Sequence, residues 1–140
     1  MFRAVPTLRH NIDAFGWHAY APDAAAAVAR LRTVRAILRR EGAPDVPIYI
    51  TEFGWPTAGS RSISEAKRAQ DLSTFVHLVA SSGCGVGLIS AYAWLTKEED
   101  PTNRENWYGL ANFDGTLKPA ALSYAAAVRE TADTAEASGC

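Results

Sequence analysis

Cysteine is scarce in this chain, and neither sign of charge is in excess. Cys84 and Cys140 are the two cysteines in 140 residues, too few to indicate a disulfide framework, and no Cys/His spacing marks a zinc site. Lysine and arginine together number 14 against 15 aspartates and glutamates, a net charge of −1. That balance gives no electrostatic case for a nucleic acid or an anionic membrane as partner. Long apolar runs are missing too. None approaches the ~18 residues that a bilayer span requires, and Met1-Phe2-Arg3-Ala4-Val5-Pro6 lacks the apolar stretch of a signal peptide. Localisation and redox compartment therefore stay open. With 48% hydrophobic and 21% charged residues, the composition is that of an ordinary globular domain.

Punctuated apolar runs are what the chain does have. Pro47 to Thr57 reads Pro-Ile-Tyr-Ile-Thr-Glu-Phe-Gly-Trp-Pro-Thr. Ile48, Tyr49 and Ile50 form the short apolar run of a buried parallel strand, over Pro47 to Thr51. Glu52 stands where the run gives out, and Gly54 and Pro56 stop regular structure. A carboxylate at the tip of a buried strand costs desolvation energy unless something there uses it. In strand–helix barrels that tip is where the chemistry sits, so Glu52 reads as a catalytic carboxylate.

Around it the chain alternates. Met1 to Asn11 is a lead-in, and Ile12 to Trp17 reads as a strand that ends in His18-Ala19-Tyr20. Asp23 is a candidate N-cap for a helix bearing Val28, Leu31, Val34 or Arg35, and Leu38. Its remaining arginines read as solvated surface, and Gly42 with Pro44 stops it. Ser62 and Glu65 have the spacing of a capping box for a second helix, with Ala69, Leu72, Val76 and Val79 on one stripe, ending at Gly83. Val86 to Trp94 is a third apolar run. A polar loop from Lys97 to Asn106, a short extended return over Trp107 to Phe113, and the Asp114-Gly115 turn lead to a last helix from Pro119 to about Arg129. Thr131 to Cys140 reads as a frayed tail. Strand, helix, strand, helix, strand, helix implies a parallel sheet with right-handed crossovers.

In such a sheet the strand ends lie side by side. His18 and Tyr20, Glu52 and Trp55, and Trp94 would then form one cluster. A Tyr hydroxyl and an imidazole can keep a carboxylate ionised, because hydrogen bonds to the charged form offset desolvation. Tryptophan faces suit sugar rings. The plainer alternatives are a core role for His18 and packing for Tyr20, Trp55 and Trp94. Phe15 and Trp17 read as packing, and His10 and His77 as structural or exposed.

Thr51-Glu52-Phe53-Gly54-Trp55-Pro56, with His18-Ala19-Tyr20 before it and Tyr92-Ala93-Trp94 after it, resembles the last three βα units of clan-A glycoside hydrolases. These are TIM-barrel enzymes related to cellulases, β-glucanases and β-xylosidases. Trp107-Tyr108-Gly109-Leu110 and Asp114-Gly115-Thr116-Leu117-Lys118-Pro119 resemble the end of such barrels. The likeness implies an α/β fold, a partial (β/α)8 barrel occupying residues 12–130, since a whole barrel needs ~250 residues. It implies that Glu52 is the nucleophile, that Tyr20 of the His18-x-Tyr20 pair hydrogen-bonds it, and that Trp94 floors the cleaved sugar.

The clan's acid/base is a Glu preceded by Asn, and none of Asn11, Asn103, Asn106 and Asn112 is followed by Glu. A retaining glycosidase needs two carboxyls ~5 Å apart. Glu98, Glu99, Asp100 and Glu105 are the replacements within reach in sequence. Three expectations follow: a retaining hydrolase of β-linked oligo- or polysaccharides or a fragment of one, a non-catalytic sugar-binding remnant, or a half-barrel completed by a partner chain. None of them implies a metal or an organic cofactor.

Overall fold

The computed structural model describes Phe2, residues 4–132 and Cys140. After a 3-10 turn at Pro6–His10, strands and helices alternate as β1 (Phe15–His18), α1 (Ala24–Arg40), β2 (Ile48–Phe53), α2 (Glu65–Ala80), β3 (Val86–Ala91) and α3 (Pro119–Thr131), with a second 3-10 turn at Arg104–Trp107. The strands form one parallel sheet in the order β1-β2-β3. This is the parallel α/β sheet that the alternation implied, in the partial-barrel arrangement that the resemblance implied.

Strand limits follow the available partners. β1 starts at Phe15 rather than Ile12, because its neighbour begins at Ile48 and the first inter-strand bond runs from Phe15 N–H to the Pro47 carbonyl (2.8 Å). β2 runs two residues beyond the expected Thr51. It is paired on both sides to its end, His18 opposite Glu52 and Phe53 opposite Ala91. Glu52 therefore sits within the strand's last two residues, on a backbone fixed from both flanks. β3 stops at Ala91, short of Trp94. Of the expected return over Trp107 to Phe113, a single antiparallel bridge between Ala111 and Leu117 forms, and Trp107 belongs to the 3-10 turn.

One face of the sheet is covered by helices. Ile48, Ile50 and Phe53 are fully buried against Leu31, Leu38, Leu72 and Phe75. Phe15 and Trp17 pack at the margin of that core. The alternate residues Tyr49 and Leu88 lie on the other face, 38% and 42% exposed, where a closed barrel would have its interior. A fully buried aliphatic or aromatic side chain contributes about 1.5–3 kcal/mol, so this one-sided layer is where the chain's stability resides.

Several local readings differ in the structure. Asp23 caps α1 through Ala26 N–H as expected, and of the two candidates for the inner stripe it is Arg35, 3% exposed, that is buried. Its guanidinium donates to the carbonyls of Pro44 (2.7 Å), Cys84 (2.8 Å) and Gly85 (3.3 Å). One long cation thus pins the two loops that lead into β2 and β3. The cap of α2 is Ser64, not Ser62: its hydroxyl accepts from Lys67 N–H, and Glu65 turns instead to Ala120 N–H and Arg68. His77 has a partner across the helix pair, Glu130 at 3.2 Å. Cys84 and Cys140 form a disulfide across 56 positions, a pairing that two cysteines could not announce. The rest of the expected tail, 133–139, lies outside the described residues, and Thr131 belongs to α3.

Gly54 follows β2 at a point of close approach. A Cβ there would lie 2.5 Å from the Tyr92 carbonyl oxygen, a backbone atom that cannot swing aside. Gly54→Ala is expected to cost about 1–3 kcal/mol through overpacking and to push the β2 tip from β3. A thermal midpoint equal to that of the parent would show that the strands part without cost.

Candidate active site

The strand tips bring together three of the five residues that the sequence proposed, Glu52, Tyr20 and His18. Glu52 projects at the end of β2 with a side chain 34% exposed. Its Oε2 accepts the Tyr20 hydroxyl at 2.8 Å and lies 3.4 Å from His18 Nδ1. A register irregularity produces this geometry. Trp17 faces Ile50 but His18 faces Glu52, so β2 gains one residue over β1 between them. An extra residue of this kind re-aims the side chains beyond it. The tip is then latched: Ala19 N–H donates to the Glu52 carbonyl (2.7 Å) and Tyr92 N–H to the Phe53 carbonyl (2.8 Å).

Tyr20 stands in an aromatic enclosure that sequence reasoning missed. Tyr108 and Tyr92 meet its ring edge-on at 6.0 Å and 6.4 Å and each other at 5.3 Å. Both occur in motifs quoted above, but nothing in their spacing assigned them to Tyr20. Burial, and then the Glu52 carboxylate that it serves, push the Tyr20 phenol well above its ordinary value of 10.0. The hydroxyl thus stays a donor throughout the neutral range. Burial likewise raises Tyr108 and Tyr124. Each phenol then holds its proton more tightly folded than unfolded. Stability is full below pH 10 and is lost as pH rises beyond it. Urea midpoints should be flat from pH 7 to 9 and fall from 10 to 12, with a shallower fall in Tyr20→Phe. An identical fall in that variant would remove Tyr20 from the account.

The tryptophans divide. Trp94, 64% exposed, lies beyond β3 with its carbonyl accepting from Leu110 and Ala111 N–H. Its ring is free to meet a ligand. Trp55 is 3% exposed, its indole N–H donates to the Ala21 carbonyl (2.8 Å), and its ring packs on Phe53 and Phe75. Trp55 is a strut under the site and leaves almost no face for a sugar, because its N–H found a backbone acceptor inside the fold.

The carboxyls of the loop after β3 are engaged elsewhere. Glu98 ion-pairs with Lys118, Asp100 accepts from Thr102 N–H and hydroxyl (2.8 and 2.7 Å), and Glu105 pairs with Arg104 (3.0 Å). Glu99 is exposed. Among the described residues, the polar contacts of Glu52 are a phenol and an imidazole, with no second carboxyl. Such a site can supply a nucleophile or a base, while protonation of a leaving group needs another source.

Comparison with known proteins bears on the fold and the family. The structure is similar to a GH5_18 from Bifidobacterium longum subsp. infantis, at 18% identity and a TM-score of 0.75, covering 89% of this chain and 32% of that one. It is also similar to GH5_18 from Streptomyces cattleya in complex with GlcNAc, at 17% identity and a TM-score of 0.65, covering 90% and 32%. A family 39 glycoside hydrolase from Bacteroides cellulosilyticus matches at 18% identity and a TM-score of 0.63, covering 92% and 29%. The chain thus spans about a third of the length of these structures, whose identities establish likeness of fold. No curated protein matches the sequence. The family profile for the glycosyl hydrolase catalytic core matches residues 2–124, most of the chain, and the protein belongs to that family.

Proposed function

We propose that this chain supplies the nucleophile side of a retaining β-glycosidase active site. The observation that carries this reading is the 2.8 Å bond from the Tyr20 hydroxyl to Glu52 Oε2, with His18 in register beside it. Glu52 attacks the anomeric carbon, the glycosidic C–O bond breaks, and a glycosyl ester forms on the carboxylate. Water then releases the sugar. Tyr20 and His18 orient the carboxylate, and Trp94 carries the sugar ring. The GlcNAc held by the Streptomyces neighbour supports a carbohydrate ligand and leaves the sugar of this protein to be identified.

The departing alkoxide requires a proton, and Glu52 has no second carboxyl beside it. The acid/base comes from further barrel strands, in the same polypeptide or in a separate chain. Two features support such a completion. The outer edges of β1 and β3 are unpaired among the described residues, and each is flanked by an apolar groove, at Phe15, Trp17 and Ile37 beside β1 and at Ile89, Leu117 and Val128 beside β3. Exposed edges and grooves of this kind invite another chain. A well-folded monomer at high concentration, seen by size-exclusion chromatography, would count against a separate partner.

A 2,4-dinitrophenyl β-glycoside tests the nucleophile alone, because dinitrophenolate leaves without a proton. Across a panel of gluco-, manno-, galacto- and xylosides, mass spectrometry should find one sugar esterified to Glu52. Binding of oligosaccharides in titration calorimetry without any ester would favour the second reading, a sugar-binding remnant, which the lone carboxyl makes specific to this chain.

A further inference from the structure

Tyr20 also lines a cleft whose other walls carry cations. It encloses about 530 Å³, with Tyr20, Trp55 and Tyr108 on its apolar side and Arg30, Arg61 and Arg104 around them. No acidic side chain lines it. In a protein of net charge −1, three guanidinium groups around one cleft are a marked local excess.

Two of the three arginines are tethered at part of the guanidinium only. Arg30 reaches back from α1, and its Nη1 donates to the Tyr20 carbonyl at 2.6 Å. The Nε of Arg104 pairs with Glu105 at 3.0 Å, which leaves the other guanidinium nitrogens for a ligand. The loop after β2 is braced against the loop that carries Arg104. A Cβ on Gly59 would fall 2.7 Å from Arg104 N, and Thr57 N–H donates to the Trp107 carbonyl. Arg61 therefore sits on a loop keyed to the loop of Arg104.

Arg61 carries the argument. Its φ is 61°, a left-handed conformation that is unfavourable for a residue with a Cβ; the side chain is exposed. Among the described residues its side chain has neither an ion pair nor a hydrogen bond. The fold thus holds a strained backbone that delivers an unpartnered cation to a cleft, the combination found where strain serves a ligand. A planar guanidinium recognises carboxylate and sulfate through two parallel hydrogen bonds.

We propose that this cleft is a subsite for a sugar unit bearing an anionic substituent, a carboxylate or a sulfate ester. The inference rests on the glycosidase reading, since Tyr20 joins the two places: its hydroxyl donates to Glu52 and its side chain is among those lining the cleft. The substrate class is therefore an acidic β-linked glycan, with the charged unit next to the unit that Glu52 attacks. The half-buried ring of Tyr20, between the charges, meets the sugar's C–H face.

Titration calorimetry with cellobiose, cellobiouronic acid and cellobiose 6′-sulfate tests this. The acidic disaccharides should bind at least tenfold more tightly than cellobiose in low salt, and the gap should narrow in high salt. Whichever of the two binds more tightly identifies the anion. Arg61→Gly relieves the backbone and removes the cation, so it should fold with a raised thermal midpoint while the gap closes. Arg61→Lys should keep part of it. Equal affinity for all three overturns the anionic subsite and leaves a neutral glycan site standing. A gap that survives Arg61→Gly overturns it as well, as does no binding at all. Acidic sugars bound through Arg61, together with the absence of any ester on Glu52 from dinitrophenyl glycosides, would preserve the subsite and reject the glycosidase reading.

Discussion

Glu52→Gln in the complete barrel is expected to lower hydrolysis of a β-glycoside by at least about 10⁴-fold, the scale seen when a covalent nucleophile is lost. At 1.36 kcal/mol per tenfold, this is roughly 5.4 kcal/mol of transition-state stabilisation. The amide keeps the shape of the carboxylate and can still accept from the Tyr20 hydroxyl, so folding should be unaffected. The loss would then be chemical. The ester on residue 52 must also vanish, with dinitrophenyl glycosides as well as with natural leaving groups. Azide added to Glu52→Ala should restore turnover of the dinitrophenyl substrate, as a small anion enters the vacated space. Full activity in the glutamine variant would overturn the assignment, and a loss without azide rescue would point to a base rather than a nucleophile.

Phe53→Ala is expected to be the most destabilising single truncation near the site. Phe53 is fully buried, and its ring lies 4.5 Å from Phe75, 5.9 Å from Tyr124 and 6.4 Å from Trp55. It thereby joins α2, α3 and the loop after β2 at one point. Truncating such a ring costs about 3–5 kcal/mol, a large share of the 5–15 kcal/mol that holds a typical domain. The thermal midpoint should fall by roughly 10 °C or more. Because Phe53 adjoins Glu52 in the chain, the cavity should also loosen the Tyr20 hydroxyl from the carboxylate before global unfolding. Exchange of Tyr20 side-chain NMR signals would report it. A midpoint within 3 °C of the parent would mean that the aromatic cluster collapses to fill the void.

The site was legible where local chemistry and strand order coincide. Glu52, His18 and Tyr20 could be placed together because a parallel sheet puts strand ends on one side, and the sheet order agrees, whereas Trp94 lies three residues beyond the end of β3. The contact between His18 and Glu52 was less accessible. It depends on one extra residue in β2, and apolar alternation carries no record of that. Arg35 illustrates a different limit. Helical spacing placed Val34 or Arg35 on the inner stripe, but the three carbonyls that fix the guanidinium come from loops 9 to 50 positions away. Ser62 and Ser64 both precede Glu65, and the choice between them was made by backbone direction rather than residue type. Trp55 looked like a sugar platform until the Ala21 carbonyl turned out to be its partner. Tyr92 and Tyr108 were missed because an enclosure around Tyr20 assembles from segments 72 and 88 positions beyond it, read as Tyr92 minus Tyr20 and Tyr108 minus Tyr20.

In the sheet, β1, β2 and β3 succeed one another as they do in the chain. No strand from elsewhere is interleaved between them, so the piece can be lifted out without breaking an internal ladder. A doubly wound sheet, whose strand order doubles back, has no such clean cut. These three units are thus a graft. Set into a foreign barrel in place of its own last three, they meet the host along two seams, the outer edges of β1 and β3. Compatibility then reduces to the side chains that face those seams, Trp17 and Ile37 on one side and Leu117 and Val128 on the other.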